Sequence, residues 1–183
     1  ITERKRAEEA LQVSEQRFRA VAESAKDAII SSDSNGNIIL WNDASRTIFG
    51  HAKEEAVGQP LTLIIPERYR AAHLAGLERF RSTGQPRIIG ETVELAGLRK
   101  DGSEFPLELS LSTWEMAGER LYSGILRDIT ERKRAEEALT ASEARLAGIL
   151  DLAPNAIIST DESQRIIRWN QAAERVFGYS EEE

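Results

Sequence analysis

The sequence predicts an α+β fold in which one five-stranded antiparallel sheet carries helices on one face and is flanked by amphipathic helices. Three observations predict it. Residues 3–24 lack Gly and Pro and are rich in Ala, Glu, Arg and Gln, which favours a helix. Short apolar runs between Ala28 and Arg127 alternate with turn-forming clusters, which is typical of antiparallel strands. Residues 1–11 and 129–139 are both ITERKRAEEAL, and the similarity continues to the C-terminus, so a domain-sized unit repeats.

The repeat divides the chain into four segments. We expect an N-terminal linker helix over 1–22, a complete domain over 23–130, a second linker helix over 131–150 and the truncated start of another domain over 151–183. The last segment lacks the longer helix and three strands that would complete its sheet, so its apolar residues have no core of their own. Because an isolated hairpin is marginal in water, we expect this segment to be mobile or to pack on another copy.

Each linker helix carries a narrow apolar stripe on a charged surface. The stripe consists of Leu11, Phe18 and Val21 in the first helix, and of Leu139, Leu146 and Ile149 in the second. This spacing indicates either the seam between two helices of a homodimer or an amphipathic helix that lies on its own domain. Two heptads do not decide between these interpretations.

A hairpin and a capped helix are predicted at the start of the complete domain. The strands Ala28–Ser31 and Asn37–Trp41 flank a turn-forming cluster at 33–36. Asn42 then stands where its side chain can cap a short helix over Asp43–Phe49, and the glycine that follows ends that helix. After a loop, Pro66 begins a longer helix that runs to about Arg81.

Three antiparallel strands are predicted in the second half of the domain. A strand over Thr92–Leu98 leads into a hairpin turn at 100–102. In the next strand one face is buried, because apolar and polar residues alternate. The apolar residues are Phe105, Leu107, Leu109 and Leu111. The last strand covers Leu121–Arg127, and residues 128–131 have the spacing of a capping box. The second linker helix would start directly from this strand, so a shift in the sheet should move the helix.

Composition excludes several classes of function. The net charge of −7 argues against a nucleic-acid-binding protein. The absence of Cys excludes disulfides, thiolate zinc sites and the cysteine-dependent flavin-adduct and coumarate photosensors. No apolar run approaches the ~18 residues of a membrane span, so we expect this segment to be cytoplasmic and to make no membrane contact, while a membrane span could lie outside it. No catalytic triad, phosphate-binding loop or metal-spaced cluster is present in the sequence, so we expect no enzyme within it.

The order of elements and four short motifs resemble a PAS domain. The motifs are Asp33-x-x-Gly36-x-Ile38 with Trp41-Asn42, Phe49-Gly50 with Val57-Gly58, Arg99 to Ser103 with Phe105-Pro106, and Asp128-Ile129-Thr130-Glu131-Arg132. The resemblance covers 23–130 completely, and 151–183 as a truncated second PAS domain. It implies a sensory or dimerising module of a multidomain protein, often a histidine kinase or cyclic-dinucleotide enzyme, with adjacent PAS and output domains as partners.

His73 is the candidate cofactor ligand. The apolar stripe of the longer helix consists of Tyr69, His73, Leu77 and Phe80. An imidazole that faces an apolar cavity suits the axial ligation of haem iron. A histidine in the core or at a dimer interface, with one nitrogen in a hydrogen bond, is the alternative that the pattern leaves open.

The segment 65–90 resembles the haem-binding PAS domains of oxygen sensors of the FixL type. The matching residues are Arg70, His73, Arg79, Phe80, Thr83, Pro86 and Ile88-Ile89-Gly90. The resemblance implies that His73 is the proximal ligand of b-type haem, that Leu109 and Leu111 form the distal wall, and that Ile89 lies beside the haem edge. The oxygen-stabilising Arg of that family falls at Val93, which cannot donate a hydrogen bond. An apolar distal side suits carbon monoxide, nitric oxide or redox sensing better than tight oxygen binding.

Two other functions stay open on the sequence. The first is a cofactor-free PAS domain whose core is filled by side chains and which only dimerises or spaces its neighbours. The second is a PAS domain that binds a small metabolite or a non-covalent flavin, for which Trp41, Trp114 and Asn42 are candidates. Trp169 repeats Trp41, which favours a packing role for both. Tyr179 replaces His51 in the repeat, so we expect His51 at the surface without a ligand role.

Overall fold

The computed structural model describes residues 2–84 and 89–180 of the protein. Pro86 and Ile88, which belong to the matching residues above, lie outside the described residues. The chain divides into two compact units, Ile1–Glu131 and Arg132–Glu183. Among the helices that the structure describes, none has the length and apolar character needed to cross a membrane.

The first unit contains the complete domain. It begins with α1 (Thr2–Ser24), β1 (Ala28–Ser32) and β2 (Ile38–Trp41). The helices α2 (Asp43–Phe49), α3 (Lys53–Ala56) and α4 (Glu67–Thr83) follow, with a 3₁₀ turn over Leu61–Ile64 before α4. The strands β3 (Thr92–Leu98), β4 (Glu104–Met116) and β5 (Glu119–Asp128) complete it, and α5 (Thr130–Asp151) begins after β5.

The five strands form one antiparallel sheet in the order β2-β1-β5-β4-β3. The predicted α+β fold is therefore confirmed, and the predicted strands and helices lie close to their observed bounds. The helix α3 is an addition to the prediction. It is a single turn, in which the Glu55 carboxylate accepts a hydrogen bond from the Ala52 N–H at 2.9 Å. So short a helix leaves no periodic pattern in the sequence.

Asn42 holds the hairpin, α1 and α2 together. Its carbonyl oxygen accepts hydrogen bonds from the Ser45 N–H, which caps α2, and from the Ile29 N–H of β1, both at 2.9 Å. Its amide nitrogen donates to the carbonyl of Ala22 in α1 at 2.8 Å. The side chain is only 2% exposed, so every one of these bonds is protected from water. Its amide is thus committed to structure rather than to a flavin.

A cluster of aromatic rings forms the core between α2 and the sheet. The rings of Trp41 and Phe49 lie 5.6 Å apart between centroids, and those of Phe49 and Phe105 lie 5.4 Å apart. Trp41 is 1% exposed and donates its indole N–H to the His51 carbonyl at 3.1 Å. This packing confirms the structural role that the repeat indicates for Trp41.

The last strand runs into α5 through a single buried residue. Ile129 is 2% exposed, and its N–H donates to the Pro106 carbonyl of β4 at 3.1 Å. The Asp128 carboxylate accepts a hydrogen bond from the Thr130 N–H at 2.8 Å. This bond joins residues two positions apart, whereas the predicted capping box over 128–131 would join residues three positions apart. The start of α5 is nevertheless fixed to the sheet by three successive residues.

The apolar stripes of both long helices are exposed. Leu11, Phe18 and Val21 are 62%, 63% and 69% exposed, and Leu139, Leu146 and Ile149 are 58–61% exposed. The end of α1 is attached to the domain through buried Ala22 and through the Glu23 carboxylate, which accepts from the Asp43 N–H at 2.7 Å. The stripe of α1 thus does not lie on its own domain, and the two-helix seam is the interpretation that persists.

The second unit contains a hairpin and a short helix after α5. The strands β6 (Ile158–Thr160) and β7 (Ile166–Trp169) are antiparallel, and α6 covers Gln171–Phe177. Asn170 repeats the bonding of Asn42, since its carbonyl oxygen accepts from the N–H groups of Ala173 and Ile157. Most apolar side chains of the hairpin and helix remain exposed, including Ile167 at 65% and Val176 at 66%.

Candidate functional site

The candidate site is a cavity of about 320 Å³ between α4 and the sheet of the first unit. The walls are mostly apolar. The sheet contributes Ile30 from β1, Leu107, Leu109 and Leu111 from β4, and Leu126 from β5. The volume lies at the lower end of the range for small-molecule pockets, roughly 300–1,000 Å³. The side chains of the described residues therefore do not fill the core completely.

His73 lies on the wall that α4 forms. It is half-buried, and Leu77 and Phe80 of the same helical stripe line the cavity with it. Burial lowers the pKa of the His73 imidazole below its ordinary value. The ring is therefore neutral near pH 7, the form in which a nitrogen lone pair can bind a metal. Within residues 2–84 and 89–180 the imidazole has no hydrogen-bond partner. A histidine with a purely structural role in the core would use one ring nitrogen in a hydrogen bond.

The cavity brings together four residues that the sequence selected. Leu109 and Leu111 lie on the inward face of β4, as the alternation predicts, and both line the cavity with His73. Ile89 lines it too, and forms an isolated bridge with Leu111. The N–H of Gly90 donates to the Leu111 carbonyl at 2.9 Å, which fixes Ile89 beside β4.

Two other selected residues lie apart from this group. Tyr69 is 47% exposed beneath the Arg68 guanidinium, 4.6 Å from its ring centre, and is not one of the described residues that line the cavity. The cause is its position in the first turn of α4, before the helix reaches the cavity. Val93 is half-buried directly opposite Leu109, but β3 lines the cavity with Leu95 and Ala96 instead.

The remaining candidates do not contribute to the cavity. Trp41 and Asn42 are buried elsewhere, and Trp114 is 43% exposed, with its indole N–H donating to the Ser123 hydroxyl. His51 is partly exposed and is not among the described residues that line the cavity. Burial, and then the charge of Lys100, lower the pKa of His51, so the ring is neutral instead of favouring the helix end as a cation.

Sequence reasoning missed two hydroxyl groups in the cavity. Ser32 of β1 and Tyr122 of β5 both line it, and they lie directly opposite each other in the sheet. Neither hydroxyl has a hydrogen-bond partner among the described residues. The alternation of β1 and β5 indicates that both side chains face inward, but it does not show that they meet. Ser32 continues the inward positions Ala28 and Ile30, and Tyr122 precedes the inward positions of Gly124 and Leu126.

Comparison with known proteins identifies a protein family and several relatives of this chain. The protein-family model described as PAS fold matches residues 16–129 and 144–183. Sensor protein FixL of Bradyrhizobium diazoefficiens is 34% identical over 149 residues, which cover 81% of this chain and 30% of FixL. Oxygen sensor protein DosP of Escherichia coli is 26% identical over 162 residues, which cover 88% of this chain and 20% of DosP.

Comparison with solved structures also indicates a PAS fold. The PAS domain of an HTR-like protein from Haloarcula marismortui superposes with a TM-score of 0.57 at 25% identity, covering 68% of this chain and 99% of that domain. The chain spans less than a third of the length of FixL and of DosP, so it corresponds to one part of such proteins. The family match extends over most of the sequence. The chain belongs to the PAS family.

Proposed function

We propose that this chain is the sensory module of a multidomain signalling protein and that it binds b-type haem through His73. The observation that carries the proposal is a neutral imidazole, without a hydrogen-bond partner among the described residues, on the wall of a largely apolar cavity. The names of the relatives support it, since one is a sensor protein and the other an oxygen sensor protein. Haem, when bound, supplies an iron that binds a diatomic gas or changes its redox state.

The chemistry of the cavity residues suits such a group, although haem needs more space than the cavity offers. His73 would hold the iron, while Leu109, Leu111 and Ile89 would exclude water from the opposite side. Val93, opposite Leu109, offers no hydrogen-bond donor. These residues suit carbon monoxide, nitric oxide or a redox change better than tight binding of oxygen. We place no catalytic step in this chain, and assign the output activity to other domains of a cytoplasmic protein.

The signal would leave the domain through β5 and α5. Ile129 and Thr130 fix the first turn of α5 to the sheet, so that movement of β4 or β5 reaches the helix. The exposed stripes on α1 and α5 would meet the same stripes of a second copy, which makes the signalling unit a homodimer. Adjacent PAS and output domains would receive the movement of the helix.

The small volume of the cavity favours a second candidate function. A space of about 320 Å³ suits a compact metabolite without rearrangement, whereas haem would require α4 to move away from the sheet. In this case the domain would sense a small molecule, or would only dimerise, and the linker helices would keep their role. The three proposed flavin contacts lie outside the cavity, so flavin gains no support from them.

Absorption spectroscopy separates these functions. The chain contains two histidines, which gives a matched pair of variants. After reconstitution with haem, we expect a Soret band in the wild type and in His51→Ala, but not in His73→Ala. Circular dichroism should show that both variants are folded. A wild type that stays colourless would favour the second candidate, and a band retained in His73→Ala would refute this residue as the ligand.

A further inference from the structure

The two buried hydroxyls of the cavity form a distinct polar patch. Ser32 is 2% exposed and Tyr122 is 7% exposed, and the two residues are direct partners in the β1–β5 pairing. Directly opposite residues of antiparallel strands project to the same face of the sheet, so both side chains point to the cavity that they line. Their oxygens are the buried side-chain atoms without a partner among the described residues.

This patch lies away from His73 along α4. The ring of Tyr122 packs edge-on against Phe80, with 5.9 Å between centroids. Phe80 follows His73 by seven residues on the same helical face, a rise of about 10 Å along the axis. The cavity therefore has an imidazole near one end, a pair of hydroxyls near the other, and apolar side chains between them.

Buried hydroxyls without partners are unusual in a folded protein. Each has lost its hydrogen bonds to water, and nearly all such groups in native structures have a replacement partner. The other buried serine of this strand illustrates the rule, because the Ser31 hydroxyl pairs with the Ser123 hydroxyl at 2.8 Å. The two cavity hydroxyls differ from that of Ser31, because their residues line the cavity and neither oxygen has a partner among the described residues.

We propose that Ser32 and Tyr122 bind the polar end of a small ligand that occupies this cavity. The ligand class is a compact, mostly apolar molecule with one uncharged oxygen, such as a phenol, alcohol or ketone. Two hydroxyls can donate to that oxygen together, and either can accept from a ligand hydroxyl. A carboxylate would exchange its hydration for two neutral hydrogen bonds, so the uncharged group is favoured. The inference uses the cavity of the proposed function but does not depend on haem.

Fluorine NMR titration of the haem-free chain tests this subsite with paired probes. 4-Fluorophenol and fluorobenzene differ by one hydroxyl, and a wholly apolar cavity would prefer fluorobenzene. We expect the wild type to bind 4-fluorophenol about three- to tenfold more tightly than fluorobenzene. Tyr122→Phe and Ser32→Ala should each reduce this preference, and the double variant should abolish it. Ser31→Ala is the control, because it removes a buried hydroxyl that pairs outside the cavity.

Several results would overturn the inference. Equal or tighter binding of fluorobenzene by the wild type would show that the hydroxyls do not contact a ligand. A preference for phenol that survives in the double variant, or no binding of either probe at millimolar concentration, would do the same. Tighter binding of 4-fluorobenzoate would show an anionic ligand that pairs with a cation such as Arg79 at the cavity wall. The titration uses the haem-free chain, so its failure and the failure of the haem test are separate results.

Discussion

Asp128 and Arg99 form an ion pair, with 2.6 Å between carboxylate oxygen and guanidinium nitrogen, where β5 ends and α5 begins. The other carboxylate oxygen of Asp128 accepts hydrogen bonds from the N–H and the hydroxyl of Thr130, at 2.8 and 2.5 Å. The guanidinium also donates to the Ile48 carbonyl of α2 and lies 3.8 Å from the centre of the Phe105 ring. One pair of charges thus connects the β3–β4 hairpin, α2 and the start of α5.

The first prediction concerns the stability that this pair provides. Asp128→Asn should lower the free energy of unfolding by about 1–2 kcal/mol at pH 7, because a hydrogen-bonded charge is lost from a site with little exposure. Burial acts to raise the pKa of Asp128, but the hydrogen bonds from Thr130 and Arg99 outweigh it and lower the pKa. The contribution of the carboxylate is therefore complete above about pH 4 and is lost as the pH falls through the folded pKa.

Urea unfolding at several pH values measures this difference between Asp128→Asn and the wild type. The control is Lys100→Ala, which breaks an ion pair with Glu55 in which both side chains are about half exposed. It should cost less than Asp128→Asn, because exposed ion pairs contribute little. A loss in Asp128→Asn that is no larger than in the control, or that does not shrink in acid, would contradict the prediction.

The second prediction concerns the titration of His73. Burial lowers its pKa in the folded chain, so the unfolded chain binds more protons near the ordinary value of about 6.5. Stability should therefore rise with pH through this window and fall as the solution is acidified from pH 7 to pH 5. His73→Phe should flatten that dependence, because phenylalanine has no charge to bury.

Thermal unfolding at pH 5 and pH 7 provides the comparison. His51 also has a pKa lowered by burial, so His51→Ala should remove a separate share of the same dependence. The double variant should show the weakest change between the two pH values. Identical pH dependence in the wild type and in His73→Phe would show that the imidazole is not buried as the structure describes.

Each secondary-structure element is predicted from the sequence as well as the length of its residue pattern allows. The strands β3 and β4 repeat the apolar alternation over many residues, and Asn42 with Gly50 marks both ends of α2, so these elements are predicted closely. The single turn of α3 is too short for periodicity. The helical stripe extends past the cavity to Tyr69, because spacing shows which face is apolar but not where a cavity begins.

The unpaired hydroxyls show a different limit. A serine at the inward position of β1 looks like a weak strand residue in the sequence, and a tyrosine at the start of β5 looks like ordinary core. Their meaning arises only from the pairing of Ser32 with Tyr122 across two strands that are far apart in the chain. Long-range register of this kind is fixed by the complete sheet and is not visible in a local pattern.

The third prediction concerns Val93, the strand partner of the distal-wall residue Leu109. In the haem-loaded protein, Val93→Arg should slow oxygen dissociation by about tenfold or more, because a charge-assisted donor can then reach bound oxygen. Val93 and Leu109 are direct partners, so a long side chain at residue 93 starts from the correct face of the sheet. Val93→Leu is the control of similar character without a donor. Stopped-flow spectroscopy that gives equal rates for both variants would refute the prediction.

The fourth prediction concerns the linker helices. Leu139→Glu combined with Leu146→Glu should weaken self-association, because burial of each leucine contributes about 1.5–3 kcal/mol at a helix seam. Thr140→Glu with Ala147→Glu has the same spacing and charge beside the stripe, and should have a smaller effect. Sedimentation velocity over a wide concentration range measures the difference. Equal association of the two variants and the wild type would show that the stripe is not an interface.

Imidazole rescue is the sharpest test of haem ligation by His73, because it asks whether a free ligand can replace the side chain of this residue. After gel filtration removes free haem, the wild type should show a Soret band and His73→Gly should not. Added imidazole should restore the band in His73→Gly by entering the space beside α4. His51→Ala should keep the band without imidazole. Haem ligation by His73 requires this pattern; a wild type that binds no haem, or a His73→Gly protein that binds haem equally well without imidazole, would refute it.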